Sequence, residues 1–349
     1  MSVRFADTCS RDFARHETFA PRFGWLRKAY DALVDPGVGS EVFLKPDAPV
    51  LLGVGKNMVN SIRYWGQAFK LVEEYAKGGG SRAQVARPTW EAYWLFDEQY
   101  GADPWLEDPG SLWLLHWWLL KRECNVPAWW AAFHLTPGTS FIEHELVRTL
   151  RTHIQLAGWE PIADTSLEKD ADVIAKMYAP RRAMTGSPGS AEDLLDCPFR
   201  DLGLLTASDA PRTWTFTTGA RPTLPPAVVL YAALDFACAE NDETATRNGG
   251  TISITRLAGA PGSPGRAFRL DEPRLVEALD LACADSRGAS MVEVAGQRAL
   301  HFDRPPNMML WRALEQHFRR DRQGALTRTQ WDKKYPRIAP EMTREAVPA

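Results

Sequence analysis

Residues Gly53 to Leu71 (GVGKNMVNSIRYWGQAFKL) constrain this chain most, because they write two opposed faces into one helix. Met58, Val59, Ile62, Trp65 and Phe69 recur at spacings of three and four, which places them on one face. Lys56, Asn60, Arg63, Gln67 and Lys70 recur at the same spacings on the opposite face, with Asn57 and Tyr64 beside them. No carboxylate follows before Glu73. A solvated helix face ordinarily mixes signs, whereas Lys, Arg, Asn and Gln together suit phosphate contact and base-edge reading. The plain alternative is an amphipathic helix with a basic outer face and no ligand. GVGK is not a phosphate loop. That loop needs four residues between its glycines and a Ser or Thr after the Lys, but here one residue separates Gly53 from Gly55 and Asn57 follows Lys56. A dinucleotide loop fails for want of a third glycine.

The charge is unevenly spread. Residues 1–90 carry a net +4, residues 91–200 a net −8 and the remainder +1. A basic first third beside an acidic middle suggests separate roles. The 349 residues suffice for two or three domains, and 45% hydrophobic with 24% charged residues is normal for a globular protein. Cys9, Cys124, Cys197, Cys238 and Cys283 never form CxxC, which predicts reduced thiols and a cytoplasmic location. The most apolar run, Leu112 to Leu120, is too short to span a bilayer, so no membrane association is expected.

The elements predict a mainly α, multi-domain fold. Residues 1–88 read as a basic helix-turn-helix or winged-helix unit: a helix from about Pro21 to Val34, a short element at Asp47–Leu52, then the basic helix. Lys77 to Arg87 is polar and glycine-rich, and suits a wing, a hinge or a linker. Residues 89–205 form an acidic, Trp-rich helical domain holding nine of the fourteen tryptophans. Ser111 to Arg122 is apolar nearly all round and should be a core helix. Ser140 with Glu143, and Thr165 with Glu168, read as capping boxes for two further helices. The loop Arg181–Ser190 suits a boundary, followed by a short helix near Ala191–Leu195. Residues 206–349 read as an α+β, winged-helix-like unit. Its elements are helix Val228–Ala239, strand Thr251–Leu257, a loop at Gly259–Gly265, helix Leu275–Ala284 and a hairpin around Gly296-Gln297.

Candidate chemistry is thinner than the candidate binding surface. Asp103, Glu107 and Asp108 form the densest acidic cluster, and three such side chains suit Mg²⁺ or Mn²⁺ in phosphodiester cleavage. Asp108 before Pro109 is equally a good helix N-cap. Glu168, Asp170 and Asp172 form a second acidic run, read more simply as a solvated helix start. Arg15, Arg22 and Lys28, leading into and within the first helix, join Lys56, Asn57, Asn60, Arg63, Tyr64, Gln67 and Lys70 as DNA-contact candidates. His16 is a further phosphate contact in prospect, and His116, among Trp and Leu, reads as a satisfied core histidine. None of the PD-(D/E)xK, HNH, GIY-YIG or HKD nuclease signatures is present.

RHETFAPRFGWLRKAYDAL, LGVGKNMVNSIRYWGQAFKL and DPWLEDPGSLWLLHWWL, in that order, resemble the SspB-type family encoded with Ssp DNA phosphorothioation genes. Weaker similarity runs through SLEKDADVIAKMYA and DLLDCPFRDLGLL, to cover roughly residues 11–205. The resemblance implies a DNA nicking endonuclease of a bacterial phosphorothioation and phage-defence system. Such a protein opens one strand so that a cysteine desulfurase, an ATPase and a sulfur-transfer protein can install sulfur in the backbone. It carries over no catalytic residues, so Asp103, Glu107 and Asp108 rest on physical argument as catalytic and metal candidates. The expected partners are double-stranded DNA and those sulfur-transfer proteins, and a homodimer is left open. Two other readings share the basic helix: a non-catalytic DNA-recognition subunit and a winged-helix transcriptional regulator.

Overall fold

A computed structural model describes residues 4–78, 81–136, 138–180, 197–208, 210–240 and 249–336. It is mainly helical with small antiparallel sheets. The loop expected at Arg181–Ser190 and the helix expected near Ala191–Leu195 lie outside the described residues. Two compact units emerge, each assembled from separate stretches of chain. One joins Met1–Phe23 to Leu106–Arg320, and the other joins Gly24–Trp105 to the chain from Asp321. This partition differs from the three consecutive segments read from the sequence.

The smaller unit is built on α2 (Trp25–Val34), α3 (Ala48–Leu52) and α4 (Lys56–Ala68), followed by the antiparallel strands β1 (Val72–Gly78) and β2 (Ser81–Pro88). Helix α2 begins later than the apolar spacing predicts. Gly24 sits at φ +80°, which breaks the helix there and leaves Phe23 exposed. Trp25, Leu26, Tyr30 and Leu33 of α2 and Val59, Ile62, Trp65 and Phe69 of the α4 stretch are buried, as their periodicity requires. Gly66 permits the hairpin to close on α4, because a Cβ there would stand 2.8 Å from Val72 Cγ2. Lys70, at φ +63°, turns the chain out of α4, and Leu71 N–H caps it by donating to Gly66 O. Ala86 N–H also bonds Ser40 O, so the loop before α3 lies along β2.

Helix α5 (Trp90–Phe96) follows, capped by Thr89, whose Oγ1 accepts from Ala92 N–H. The distant segment Arg328–Lys334 completes this core. Its Trp331 is 1% exposed, stacks on Tyr93 at 4.5 Å and donates Nε1–H to Pro88 O.

In the larger unit, α1 (Phe5–Thr8) is followed far along the chain by α6 (Pro109–Leu120), whose residues from Gly110 to Leu120 are all buried. Burying so many indoles requires partners for their N–H groups. Trp113 donates to Thr223 Oγ1, Trp117 to Asp235 Oδ2 at 2.8 Å and Trp118 to Tyr231 Oη. Next come α7 (Pro127–Trp130), running into a π-turn at Ala131–Leu135, then β3 (Ser140–Ile142), α8 (Glu143–Leu156) and α9 (Asp164–Tyr178).

Neither expected capping box forms. Ser140 instead joins a strand, opposite Thr215, and Glu143 is drawn onto Arg212. Helix α9 starts at Asp164, one residue before Thr165, so that threonine lies inside the helix. The strands β4 (Leu205–Ala207) and β5 (Thr213–Phe216) complete a sheet of order β3-β5-β4.

The C-terminal stretch of this unit runs α10 (Pro226–Glu240), β6 (Gly250–Ser253), α11 (Ile254–Gly259), α12 (Pro264–Phe268), α13 (Glu272–Ala284), β7 (Ala289–Val294), β8 (Gln297–Phe302) and α14 (Leu310–Glu315). The expected strand Thr251–Leu257 divides, because Ser253 Oγ accepts from Arg256 N–H and caps a helix. Likewise, part of the expected loop at Gly259–Gly265 starts α12 behind the Ser263 cap. The hairpin turns on Ala295 and Gly296, at φ +50° and +75°, one residue earlier than expected. Positive φ at both central residues matches the strand twist of a tight hairpin. The sheet order is β6-β8-β7.

Candidate nucleic-acid interface

The outer face of α4 is narrower than its periodicity suggests. Lys56, Asn57 and Asn60 are exposed, all in the first turn and a half. The N-cap residue is Gly55, which brings no side chain to the first amides, so the positive end of the helix dipole is uncovered beside Lys56. Lys28 reaches toward the same turn, donating from Nζ to Leu52 O at 2.7 Å. Farther along, part of the face is engaged by the fold. Arg63 forms a bidentate pair with Glu74 of β1, with Nε–Oε1 at 2.5 Å and Nη2–Oε2 at 2.6 Å. That carboxylate raises the Arg63 pKa and cancels its charge. The pair gives Arg63 a role within the fold, since the strand that follows the helix supplies its counter-charge. Tyr64 is buried edge-on to Trp65 at 5.1 Å, so it belongs to the core rather than to the outer face. Gln67 Nε2 donates back to Arg63 O, and the Lys70 carbonyl accepts from Thr89 Oγ1.

Arg15 and Arg22 belong to the other unit. Arg15 is exposed and paired with Asp12 at 2.8 Å, while Arg22 lies 5.6 Å from the Phe19 ring centre. His16 is fully buried, not poised at a phosphate. Its Nδ1 accepts from Thr18 N–H, which leaves Nε2–H to donate to Asp170 Oδ1 at 2.7 Å. Ala14, Glu17 and Thr18 all adopt positive φ to seat that ring. Burial raises the Asp170 pKa, and the bond to His16 opposes the rise. The second acidic run therefore diverges: Asp170 points into the core while Asp172 pairs outward with Lys176.

The acidic trio is also divided. Asp103 belongs to the smaller unit and is 7% exposed, whereas Glu107 and Asp108 belong to the larger. Asp108 is the N-cap of α6: its Oδ1 accepts from Gly110 N–H at 2.7 Å. Its Oδ2 meets His317 Nε2 at 2.7 Å, and this bond is the main reason its pKa falls below the usual carboxylate value. Both oxygens thus accept a hydrogen bond within the fold. Among the described residues no three His, Cys, Asp or Glu side chains gather to hold a metal ion. What the sequence did not reveal is the Asp108–His317 pair. Both side chains are about one-third exposed, and 209 positions separate them. His116 is a satisfied core histidine, as expected. It is bonded to Tyr178 Oη and Ala267 O, and burial lowers its pKa to about 4.

Residues 13–318 match the family model described as "Protein of unknown function (DUF4007)". The chain belongs to this family. It is similar along nearly its whole length to two solved structures. One, described as an SspB crystal structure, is 44% identical with a TM-score of 0.86, over 95% of this chain and 96% of that one. The other, a magnesium ion-bound SspB crystal structure, is 45% identical with a TM-score of 0.87, over 96% of each chain. No curated protein matches the chain. Among the described residues, no helix is long and apolar enough to cross a membrane.

Proposed function

We propose that this protein binds double-stranded DNA and nicks one strand within a DNA phosphorothioation and phage-defence system. The observation that carries the reading is the exposed Lys56–Asn57–Asn60 face at the uncapped start of α4. Three helices followed by an antiparallel hairpin are the element order of a winged helix, with α4 as the reading helix and β1-β2 as the wing. In this reading Lys56 and the helix start contact phosphate, while Asn57 and Asn60 read base edges. The similarity to SspB supplies the phosphorothioation context, and the expected partners are a cysteine desulfurase, an ATPase and a sulfur-transfer protein.

Nicking needs a group to take a proton from the attacking water and charge stabilisation at the phosphoryl oxygens. The partly exposed Asp108–His317 pair suits proton removal, because Asp108 fixes the ring through Nε2 and leaves Nδ1 to accept a proton. A divalent ion enters this proposal only through the magnesium-bound relative, and the Asp103, Glu107 and Asp108 set does not fit one. That mismatch favours a second reading, in which the chain recognises DNA and a partner cuts it. Incubating the purified protein with supercoiled plasmid, with Mg²⁺, with Mn²⁺ and with chelator, separates the two. Nicked circles that disappear in His317→Ala support the first reading. Retarded but uncut plasmid under every condition supports the second.

A further inference from the structure

The larger unit holds a group of like charges for which the described residues supply no counter-charge. Arg269, at φ +54° just after α12, lies with its Cζ 3.3 Å from the centre of the Phe216 ring and 5.5 Å from that of Phe133. Nη2 donates to Ala132 O at 2.9 Å, whereas Nε is buried with no hydrogen-bond partner among the described residues. The charges that act on it are Arg266 and Arg221, both repulsive. With burial they pull its pKa down to about 9. Arg221 is itself held by carbonyl and hydroxyl oxygens, at Phe268, Gly203 and Thr217, and no carboxylate of the described residues accepts from it. On the π-turn, His134 is 1% exposed and neither ring nitrogen has a hydrogen-bond partner there. The charged groups that act on it include the same Arg269 and Arg266.

Aromatic faces and carbonyl dipoles soften a buried cation but leave its charge standing, and an uncompensated buried charge is strongly unfavourable. Buried polar atoms without partners in a native fold commonly mark an ion or water that completes them. Arg266 and Arg269 are both only partly buried, so a small ion can reach them from solvent. Arg266 spends Nε on Gly259 O, which leaves its terminal nitrogens as donors. A guanidinium fork matches tetrahedral oxyanions in shape as well as charge.

We propose that Arg266 and Arg269, backed by Arg221, form a binding site for a phosphate oxyanion. The group is either a phosphodiester of the DNA backbone or a free phosphate. The site does not depend on the nicking proposal, because a phosphate response and plasmid nicking are separate readouts.

The test is thermal melting of the full-length protein titrated with inorganic phosphate, against sodium chloride of equal ionic strength. The expected result is a saturable rise in Tm with phosphate that chloride does not reproduce. It should weaken about ten-fold in affinity in Arg266→Ala, for the loss of one charge-assisted contact. In Arg269→Met, which keeps the apolar stem against Phe216, the response should vanish. Phosphate displaced by added duplex assigns the site to the DNA backbone, and phosphate and duplex binding independently assign it to a free phosphate. No saturable response, or one of wild-type affinity in the surface variant Arg266→Ala, overturns the site.

Discussion

The chain contains two assemblies of helix and hairpin whose outer surfaces are opposite. In α4 with β1-β2, the exposed start of the helix presents Lys56, Asn57 and Asn60. The carboxylates lie behind it on the strand, where Glu73 pairs with Arg87 and Glu74 with Arg63. In α13 with β7-β8, the exposed positions include Glu272, Glu277, Asp280 and Leu281, and its cation Arg274 is bonded to Glu277 at 2.8 Å. A strand before α13 and a hairpin after it, in the sheet order β6-β8-β7, make this second assembly the closer match in topology to a winged helix, yet its face repels phosphate. Topology therefore does not assign the ligand, and the proposed DNA reading rests on the side chains of one helix turn. The units that carry the two assemblies differ in a second way. All seven histidines, from His16 to His317, lie in the larger unit.

That second difference gives the largest expected effect. Burial holds His116 neutral in the fold, with its pKa lowered to about 4, and burial lowers the His134 pKa as well. Both regain the ordinary value of about 6.5 when unfolded. A depressed histidine contributes stability that is complete above about pH 6.5 and is lost as pH falls toward 4, at up to roughly 1.4 kcal/mol per pH unit for each ring. Segment-resolved hydrogen exchange between pH 7 and 4.5 should show residues 106–320 losing protection first. Earlier loss across residues 24–105 would break the contrast.

The next effect concerns DNA. Lys56→Ala with Asn60→Ala should weaken specific duplex binding by about 1–3 kcal/mol and lower the salt slope by about one counterion. Wild-type affinity and slope in this double variant would remove α4 from the interface. Arg63→Ala sharpens the point, because its charge is already spent. It should cost stability, about 1–3 kcal/mol for stranding the nearly buried Glu74, and leave the salt slope unchanged. Urea unfolding and a salt titration on the same sample would separate the two. Smallest of all, Glu277→Lys should alter DNA affinity by less than about two-fold, the size expected of an exposed charge that makes no contact with the duplex and is screened by salt. A large gain would place α13 beside bound DNA.

Periodicity made the helices legible. The apolar spacing of α4 and the all-apolar run of α6 gave their buried faces directly, and Asp108-Pro109 gave the cap that Gly110 N–H confirms. The hairpin after α4 was harder to see, because KGGGSRAQVAR has the composition of a linker and little alternation. The site was less legible than the fold. Helical spacing placed Arg63 outward correctly but contained nothing about Glu74 reaching it from the next strand. His16 and Asp170, or Asp108 and His317, meet across 154 and 209 positions, and a single sequence has no signal for such pairs. Serine and threonine followed by glutamate also mimicked caps at Ser140 and Thr165. At Ser140 tertiary pairing, through β5 and Arg212, overrode the local preference.

The placement of Trp331 has a consequence for how the protein is made. The unit bearing α4 emerges from the ribosome early, but its core lacks the ring that stacks on Tyr93 until Arg328–Lys334 has been synthesised. At about 5–20 residues per second, some 10–45 s of translation separate Trp105 from Trp331. For that interval Tyr93 has no Trp331 to cover it, and Pro88 O has no indole donor. The nascent chain thus carries α2, α3 and α4 well before the fold that holds them is finished, and a helix translated more than two hundred residues later closes their core.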